Sequence, residues 1–471
     1  MSRKFSPSPE KARFFYQKGY VVPIARPTPY QDSFEVYSRF YGQIPSIFLD
    51  SSKDRLVRAT ARTAAYSFIC LHPLEIFQIK GHDIRNPVLG LRRYFARWKG
   101  KIWKEFPHFT GGGVGFLSYD FLSPRVSKFP KVFLLITRDV IVFDHAKKTA
   151  KIVTNLLPGR DGNFEAAYRA ACRRMDGIAA RIAAPRTENS DVRMSVRRFK
   201  SNFSRVDFRK MVLKAKAYIR AGDIYQANLS QQFSFDFEGD LLRLYKRLRA
   251  VNPSPFSAFL DLGNLKIVSA SPERLIKLTG RHCETRPIAG TRPVGKTLKE
   301  DRKLSAELLL NEKERAEHLM LLDLERNDLG RVCEYKSVRV DEMMVLERYS
   351  HVMHIVSNVV GRLSRDKDRF ELLQAVFPGG TITGCPKIRC MEIIEELERA
   401  DRGLYTGSIG YFDFSGDMDW NIVIRTLTLK GKKACLQSGA GIVYDSHPGK
   451  EYEETLHKVK VFLEALGIRW E

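Results

Sequence analysis

Short runs of β-branched and aromatic residues, separated by turn residues, set the rhythm of the N-terminal part of the chain. They predict strands at 46–49, 113–119, 132–136, 139–143 and 151–153. Helical spacing appears there around 89–98 and 164–182. The pattern changes at 183–196, a polar stretch with Pro185 and no clear period, which reads as a linker. Beyond it the elements are mixed. Ser204 followed by Asp207 predicts a capped helix start. Phe208, Met211, Val212, Ala215 and Ile219 then recur at helical spacing, and Gly222 closes the helix. A strand is predicted over 224–235, with Gln226, Asn228, Ser230 and Gln232 on one face; polar residues at that period fit either solvent or a polar cavity. Helices are predicted at 312–329, 369–376, 387–399 and 450–466, and strands at 407–414, 421–429 and 434–442. Runs of strands and of helices without strict alternation predict an α+β fold. The expected division is a strand-rich region over 1–182, a linker over 183–200 and a further region over 201–471.

Composition narrows the class. With 471 residues, 44% of them hydrophobic, the chain can bury a sizeable core. No apolar run approaches the ~18 residues of a membrane span. The N-terminus is charged and Pro-rich with no apolar stretch after it, which argues against a secretory signal. The seven cysteines are odd in number and lack C-x-x-C spacing, so neither a disulfide framework nor a zinc site is indicated. Together these place the protein in a reducing cytoplasm. The net charge of +25 admits two readings. Arg92, Arg93, Arg97, Lys99, Lys101 and Lys104 are interleaved with Tyr94, Phe95, Trp98 and Trp103, as in single-strand binders. No helix-turn-helix, zinc-finger or RNP signature accompanies them, so the patch is read as a solvated basic face. An anionic small substrate or an acidic partner subunit would suit the same charge.

Candidate chemistry is concentrated after the linker. Glu451, Glu454 and Lys458 fall on one helical face, and a second helix carries Glu314 and Glu317 followed by Asp323, Glu325 and Asp328. Two such helices could offer Mg2+ its hard oxygen ligands. From spacing alone, a solvated charged face explains them better. Glycine-rich turns at 287–292, 377–387 and 438–441 let backbone N–H groups approach an anion, though each alone is equally a tight turn. Three of them beside Arg425 and Lys458 favour a carboxylate site. His354, in an apolar strand, reads by itself as a hydrogen-bonded core histidine.

The stretches SASPERL, ETRPIAGTRPVG, AEHLMLLDLERNDLG, HVMHIVS, FPGGTITGCPK, YTGSIGYF, IVIRT, SGAGIV and KEYEETLHK occur in this order. Over roughly residues 205 to 466 the chain therefore resembles the chorismate-utilising synthases: anthranilate synthase component I, aminodeoxychorismate synthase component I, and the isochorismate and salicylate synthases. A weaker resemblance covers ARTAAYSFICLHP and GGGVGFLSYD. The resemblance implies two β-sheets packed as a sandwich with helices outside. It implies Mg2+ on Glu317 and Glu454. Gly290, Thr291, Tyr405, Arg425, Gly439, Ala440, Gly441 and Lys458 would contact the substrate carboxylates, with Lys458 also counted with the catalytic groups. Glu273 and His354 would assist departure of the 4-hydroxyl, and Thr381 would lie close to the ring. The chemistry is consistent, because a dianion needs compensating charge and hydroxide needs an acid to leave.

Gln226 stands where the water-using branches carry a base lysine, so ammonia is the expected nucleophile. Pro255-Phe256-Ser257 resembles the aminodeoxychorismate branch rather than the Pro-Tyr-Met of tryptophan-inhibited anthranilate synthases. Ala289 in PIAGT points the other way, because some aminodeoxychorismate synthases have a lysine there that attacks C2. Leu49-Asp50-Ser51-Ser52 only loosely echoes the tryptophan-site motif. The expected activity is amination of chorismate to 4-amino-4-deoxychorismate for p-aminobenzoate and folate, with anthranilate synthesis as the close alternative and a non-catalytic protein binding nucleic acid through the basic 92–104 patch as the remote one. No glutaminase motif is visible, so a glutamine amidotransferase subunit would supply ammonia. No chain remains after Glu471 for a fused lyase.

Overall fold

The computed structural model describes residues 5–51, 65–81, 86–125, 129–185, 194–348 and 352–468. Most of the polar stretch at 183–196, and parts of the motifs beginning at Ala61 and His351, lie outside them. The chain mixes helix with an extensive sheet. Among the described residues, twenty strands join into one hydrogen-bonded network.

Two long strands, Tyr66–Ile79 and Val132–Asp144, form the N-terminal spine, and their register shifts between Pro73 and Glu75. The two strands expected at 132–136 and 139–143 are one, since Arg138 does not interrupt the extended backbone. Pairing then crosses the polar segment. Ser46–Asp50 runs antiparallel to Phe256–Asp261, and Gly112–Leu117 runs antiparallel to Ser408–Asp413. Both halves of the chain thus share one sheet network.

The helices follow their sequence signals. In Arg205–Arg220 the Ser204 side chain accepts a hydrogen bond from the Asp207 N–H at 3.1 Å. Glu312–Gly330 is capped by Asn311, and Pro448–Leu466 ends at Gly467 with φ +76°. The strand expected over 421–429 divides into Met418–Asn421 and Thr426–Lys430. Between them the backbone leaves the ladder. The Ile422 N–H donates to the Glu273 carbonyl, Val423 exchanges bonds with Thr406 and Gly407, and the Arg425 carbonyl accepts from Ala270. Arg425 itself has φ +50°. Apolar periodicity cannot reveal such a break, because Ile422 and Val423 remain buried.

One apolar cluster, containing Phe208, Met211, Ala227, Leu229, Cys390, Ile393, Ala440 and Ile442, lies beneath the strands Gln226–Glu238 and Lys433–Ile442. The rings of the basic patch turn inward. Trp103 and Phe95 are buried, Tyr94 packs on Phe77 at 4.3 Å, and Trp98 packs on Phe414 at 5.1 Å. Arg92 pairs with Asp368 and Arg97 with Glu75. The aromatic half of a single-strand platform is therefore committed to packing. Among the described residues no helix is long and apolar enough to cross a membrane.

Candidate active site

Two antiparallel strands build the floor of a cavity of about 760 Å³. Gln226–Glu238 and Lys433–Ile442 pair with Asn228 opposite Gly441 and Ser230 opposite Gly439. Alternation puts Asn228, Gly439 and Gly441 on the cavity face, and Ala227, Leu229, Ala440 and Ile442 on the apolar face. The glycines are required by space. A Cβ at 439 would lie 2.5 Å from Asn228 Oδ1 and 2.8 Å from the Tyr405 hydroxyl, and one at 441 would lie 2.5 Å from Gln226 Nε2.

Four carboxylates line part of the cavity. Glu314 and Glu317 come from the helix Glu312–Gly330, and Glu451 and Glu454 from Pro448–Leu466; all four line the space. Gln226 Nε2 donates to Glu317 Oε1 at 2.9 Å. Burial pushes the Glu317 carboxyl above its ordinary range, and Glu314 and Glu454 push it further. Glu451 is raised by burial, with Glu454 adding to it. Among the described residues no three His, Cys, Asp or Glu side chains gather closely enough to hold a metal by themselves, but a hard divalent cation needs only one or two carboxylates and completes its shell with water and substrate oxygens. Glu317 and Glu454, drawn one from each helix, could hold it.

Basic groups and a further acid line the same space. Lys458 Nζ donates to the Gly439 carbonyl at 2.9 Å and pairs with Glu454 at 2.7 Å. Arg425 reaches the cavity because of the backbone break described above. Glu273 sits between the strands Leu265–Ser271 and Arg274–Thr279. Burial pushes its carboxyl up to about 7, against the opposing pull of the Thr381 hydroxyl, the Ile288 N–H, Arg425 and Lys458. It therefore holds a proton near neutral pH. His354 Nδ1 lies 3.0 Å from Thr291 Oγ1 and 3.2 Å from the Gly290 carbonyl. A carbonyl can only accept, so Nδ1 carries the proton. Burial, with Arg425 nearby, holds the imidazole down to about 4, so it is neutral at physiological pH.

Among the described residues, several buried polar atoms around this space meet no hydrogen-bond geometry within the protein: Gln226 Oε1, Asn228 Oδ1, Glu273 Oε1, Thr381 Oγ1 and Ser438 Oγ. Each such atom costs about 1–3 kcal/mol. Their convergence on one cavity marks a surface shaped for a polar ligand.

Residues 47–464 match the model of the chorismate binding enzymes. The chain belongs to that family. It is 42% identical over 446 residues to the aminodeoxychorismate synthase component 1 of Bacillus subtilis (strain 168), covering 89% of this chain and 93% of that protein. It is 43% identical over 397 residues to the anthranilate synthase component 1 of Acetivibrio thermocellus, covering 81% and 80%. Among solved structures, the anthranilate synthase component I of Streptococcus pneumoniae TIGR4 superposes with a TM-score of 0.76 at 36% identity, over 87% of this chain and 95% of that one. The menaquinone-specific isochorismate synthase of Escherichia coli, 16% identical, shares the fold with a TM-score of 0.75, over 97% and 99% of the two chains.

For this family member, the structure brings Glu273, Gly290, Thr291, Glu317, His354, Thr381, Tyr405, Arg425, Gly439, Gly441, Glu454 and Lys458 to one cavity. Ala440 is the exception. Its side chain lies in the apolar cluster on the far face, opposite Leu229, so it has only backbone to offer. Ser438 and Arg292, which fall inside the glycine-rich turns at 438–441 and 287–292 but were given no side-chain role from the sequence, also line the space, as does Gln437, which the sequence reading passed over. Gln437 directly precedes the turn at 438–441, and that adjacency was the available signal.

Proposed function

We propose that this chain is the component of an aminodeoxychorismate synthase that aminates chorismate at C4, turning chorismate and ammonia into 4-amino-4-deoxychorismate and water. The observation that carries this reading is Glu273, a buried carboxyl that keeps its proton to about 7 and faces Arg425 and Lys458 across the cavity. In the proposed step Glu273 protonates the departing 4-hydroxyl, so that water rather than hydroxide leaves. Neutral His354 accepts a hydrogen bond and orients that hydroxyl. Arg425, Lys458, Tyr405, Thr291 and the backbone at Gly290, Gly439 and Gly441 take the two substrate carboxylates. Thr381 borders the ring. Mg2+ on Glu317 and Glu454 would add positive charge to help hold the ring carboxylate.

Gln226 cannot take a proton from water, which supports ammonia as the nucleophile. A glutamine amidotransferase subunit would deliver it, in the cytoplasm. Ala289 lines the cavity and presents no amine, so one ammonia would add at C2 as the protonated 4-hydroxyl leaves as water, and a second would add at C4 as the C2 amine leaves as ammonia. In this reading region 201–471 carries the chemistry, region 1–182 braces it through the shared strand pairs, and the network folds into two facing layers.

The competing product is anthranilate. The similarity to anthranilate synthase components and the side chain of Ala289 favour it. Against it stands the cluster at Asp50, in the stretch that loosely echoes the tryptophan-site motif. Asp50 is buried and accepts from Ser33, Ser67, Tyr245 and Arg249, which leaves no carboxylate oxygen for an incoming ammonium. Product identity decides. The purified chain is incubated with chorismate, Mg2+ and ammonium at alkaline pH, with and without an aminodeoxychorismate lyase. p-Aminobenzoate formed only with the lyase supports this reading; anthranilate formed without it overturns the choice of product.

A further inference from the structure

Behind the cavity lies a second buried carboxyl that the proposed chemistry does not use. Glu325, on the helix Glu312–Gly330, is 3% exposed. Its Oε2 lies 2.9 Å from Thr285 Oγ1, and the same Thr285 hydroxyl is 2.9 Å from the carbonyl of Leu275, two residues beyond Glu273. A threonine hydroxyl has one proton, and a carbonyl can only accept. If Thr285 donates to Leu275, the contact with Glu325 is a hydrogen bond only when Glu325 donates. Among the described residues, the cation that acts on it is already committed: Lys387 Nζ binds Asp328 Oδ2 at 2.6 Å and the Val376 carbonyl at 3.2 Å. Glu325 thus has no counter-charge of its own and a geometry that calls for its proton.

We propose that Glu325 is a positioning residue that works as a neutral acid, its proton tying the helix through Thr285 to the strand that follows Glu273. Burial and the adjacent Asp328 push this carboxyl up to about 8, Glu273 pushes in the same direction, and Lys387 opposes them. While Glu325 stays neutral, Glu273 can release its proton without a second carboxylate facing it. An ionised Glu325 would place a second negative charge beside the carboxylate that Glu273 becomes and weaken it as an acid, so Glu325 has to hold its proton at least as tightly as Glu273 does. The inference rests on the reading of Glu273 as the acid, but its first test does not.

That test is the infrared spectrum of the full-length protein near neutral pH, with Glu325→Gln as the reference and Glu273→Gln as a second reference to separate the two carboxyls. A protonated-carboxyl band present in wild type and in Glu273→Gln but lost in Glu325→Gln is expected. No such band would overturn the proposal, whatever the enzyme's product. The second readout is the pH profile of kcat. Glu325→Gln, which can still donate to Thr285, should keep kcat at neutral pH within about threefold of wild type and leave the alkaline decline where loss of the Glu273 proton sets it. A hundredfold loss at neutral pH in a folded variant, or an alkaline limb displaced by more than about one pH unit, would overturn it.

Discussion

Two polar clusters in this molecule have similar ingredients and opposite arrangements. At Asp50 the charges close on each other: Asp50 accepts four donors, and Arg249 bridges it at 2.8 Å to Asp32 at 2.9 Å. In the cavity the acids and cations border an open volume, and Gln226, Asn228, Glu273, Thr381 and Ser438 each keep an unsatisfied buried atom. The first arrangement holds the fold together. The second leaves polarity exposed to a ligand at a cost to stability. Composition does not separate them; hydrogen-bond satisfaction does.

The comparison can be broken in order of expected effect. Glu273→Gln should lower kcat by about 10²–10⁴-fold, the usual worth of a general acid; a steady-state assay showing near wild-type turnover would remove the acid from its role. Asp50→Ala should do the reverse. It leaves Arg249 and Tyr245 without their buried acceptor and should destabilise the fold by roughly 3–5 kcal/mol, with kcat of the folded protein unchanged. Urea unfolding beside an activity assay reads both, and lost activity in a stable variant would move the Asp50 cluster into the functional class. Arg425→Ala should reduce kcat/KM by about 10–100-fold, the contribution of a charge-assisted hydrogen bond, without a matching loss in stability. The smallest effect is a pH dependence. An unfolded glutamate titrates near 4.3, whereas Glu273 holds its proton to about 7. Its contribution to stability is complete below about 4.3 and is lost as pH rises through 7. Glu273→Gln should therefore gain about 1–3 kcal/mol relative to wild type across that window, measured as the change in the unfolding midpoint between pH 5 and pH 8.

Much of this was legible in the sequence where a local rule applied. Ser204 capped its helix as its spacing with Asp207 indicated, and the polar face of Gln226 and Asn228 met a cavity rather than solvent. The gain from the family resemblance was to assemble carboxylates that spacing alone assigned to a solvated face. What escaped was set by tertiary structure. The turn at Arg425 is fixed by backbone bonds to the segments at Ala270, Glu273 and Gly407, distant in sequence. Ala440 shares a motif with Gly439 and Gly441, but strand alternation sends its side chain to the other face. Pairing of Gly112–Leu117 with Ser408–Asp413 has no local signature. Glu325 looked like one more charge on a helix until its position beside Thr285 was known.

The most direct test of the central claim, that unsatisfied polarity in the cavity is where chorismate is held, is titration calorimetry of chorismate into the turnover-blocked Glu273→Gln protein with Mg2+ present. The account predicts binding at one site per chain that weakens at least about tenfold when Arg425→Ala is added. Binding that ignores Arg425, or no binding in a folded Glu273→Gln protein, would contradict it.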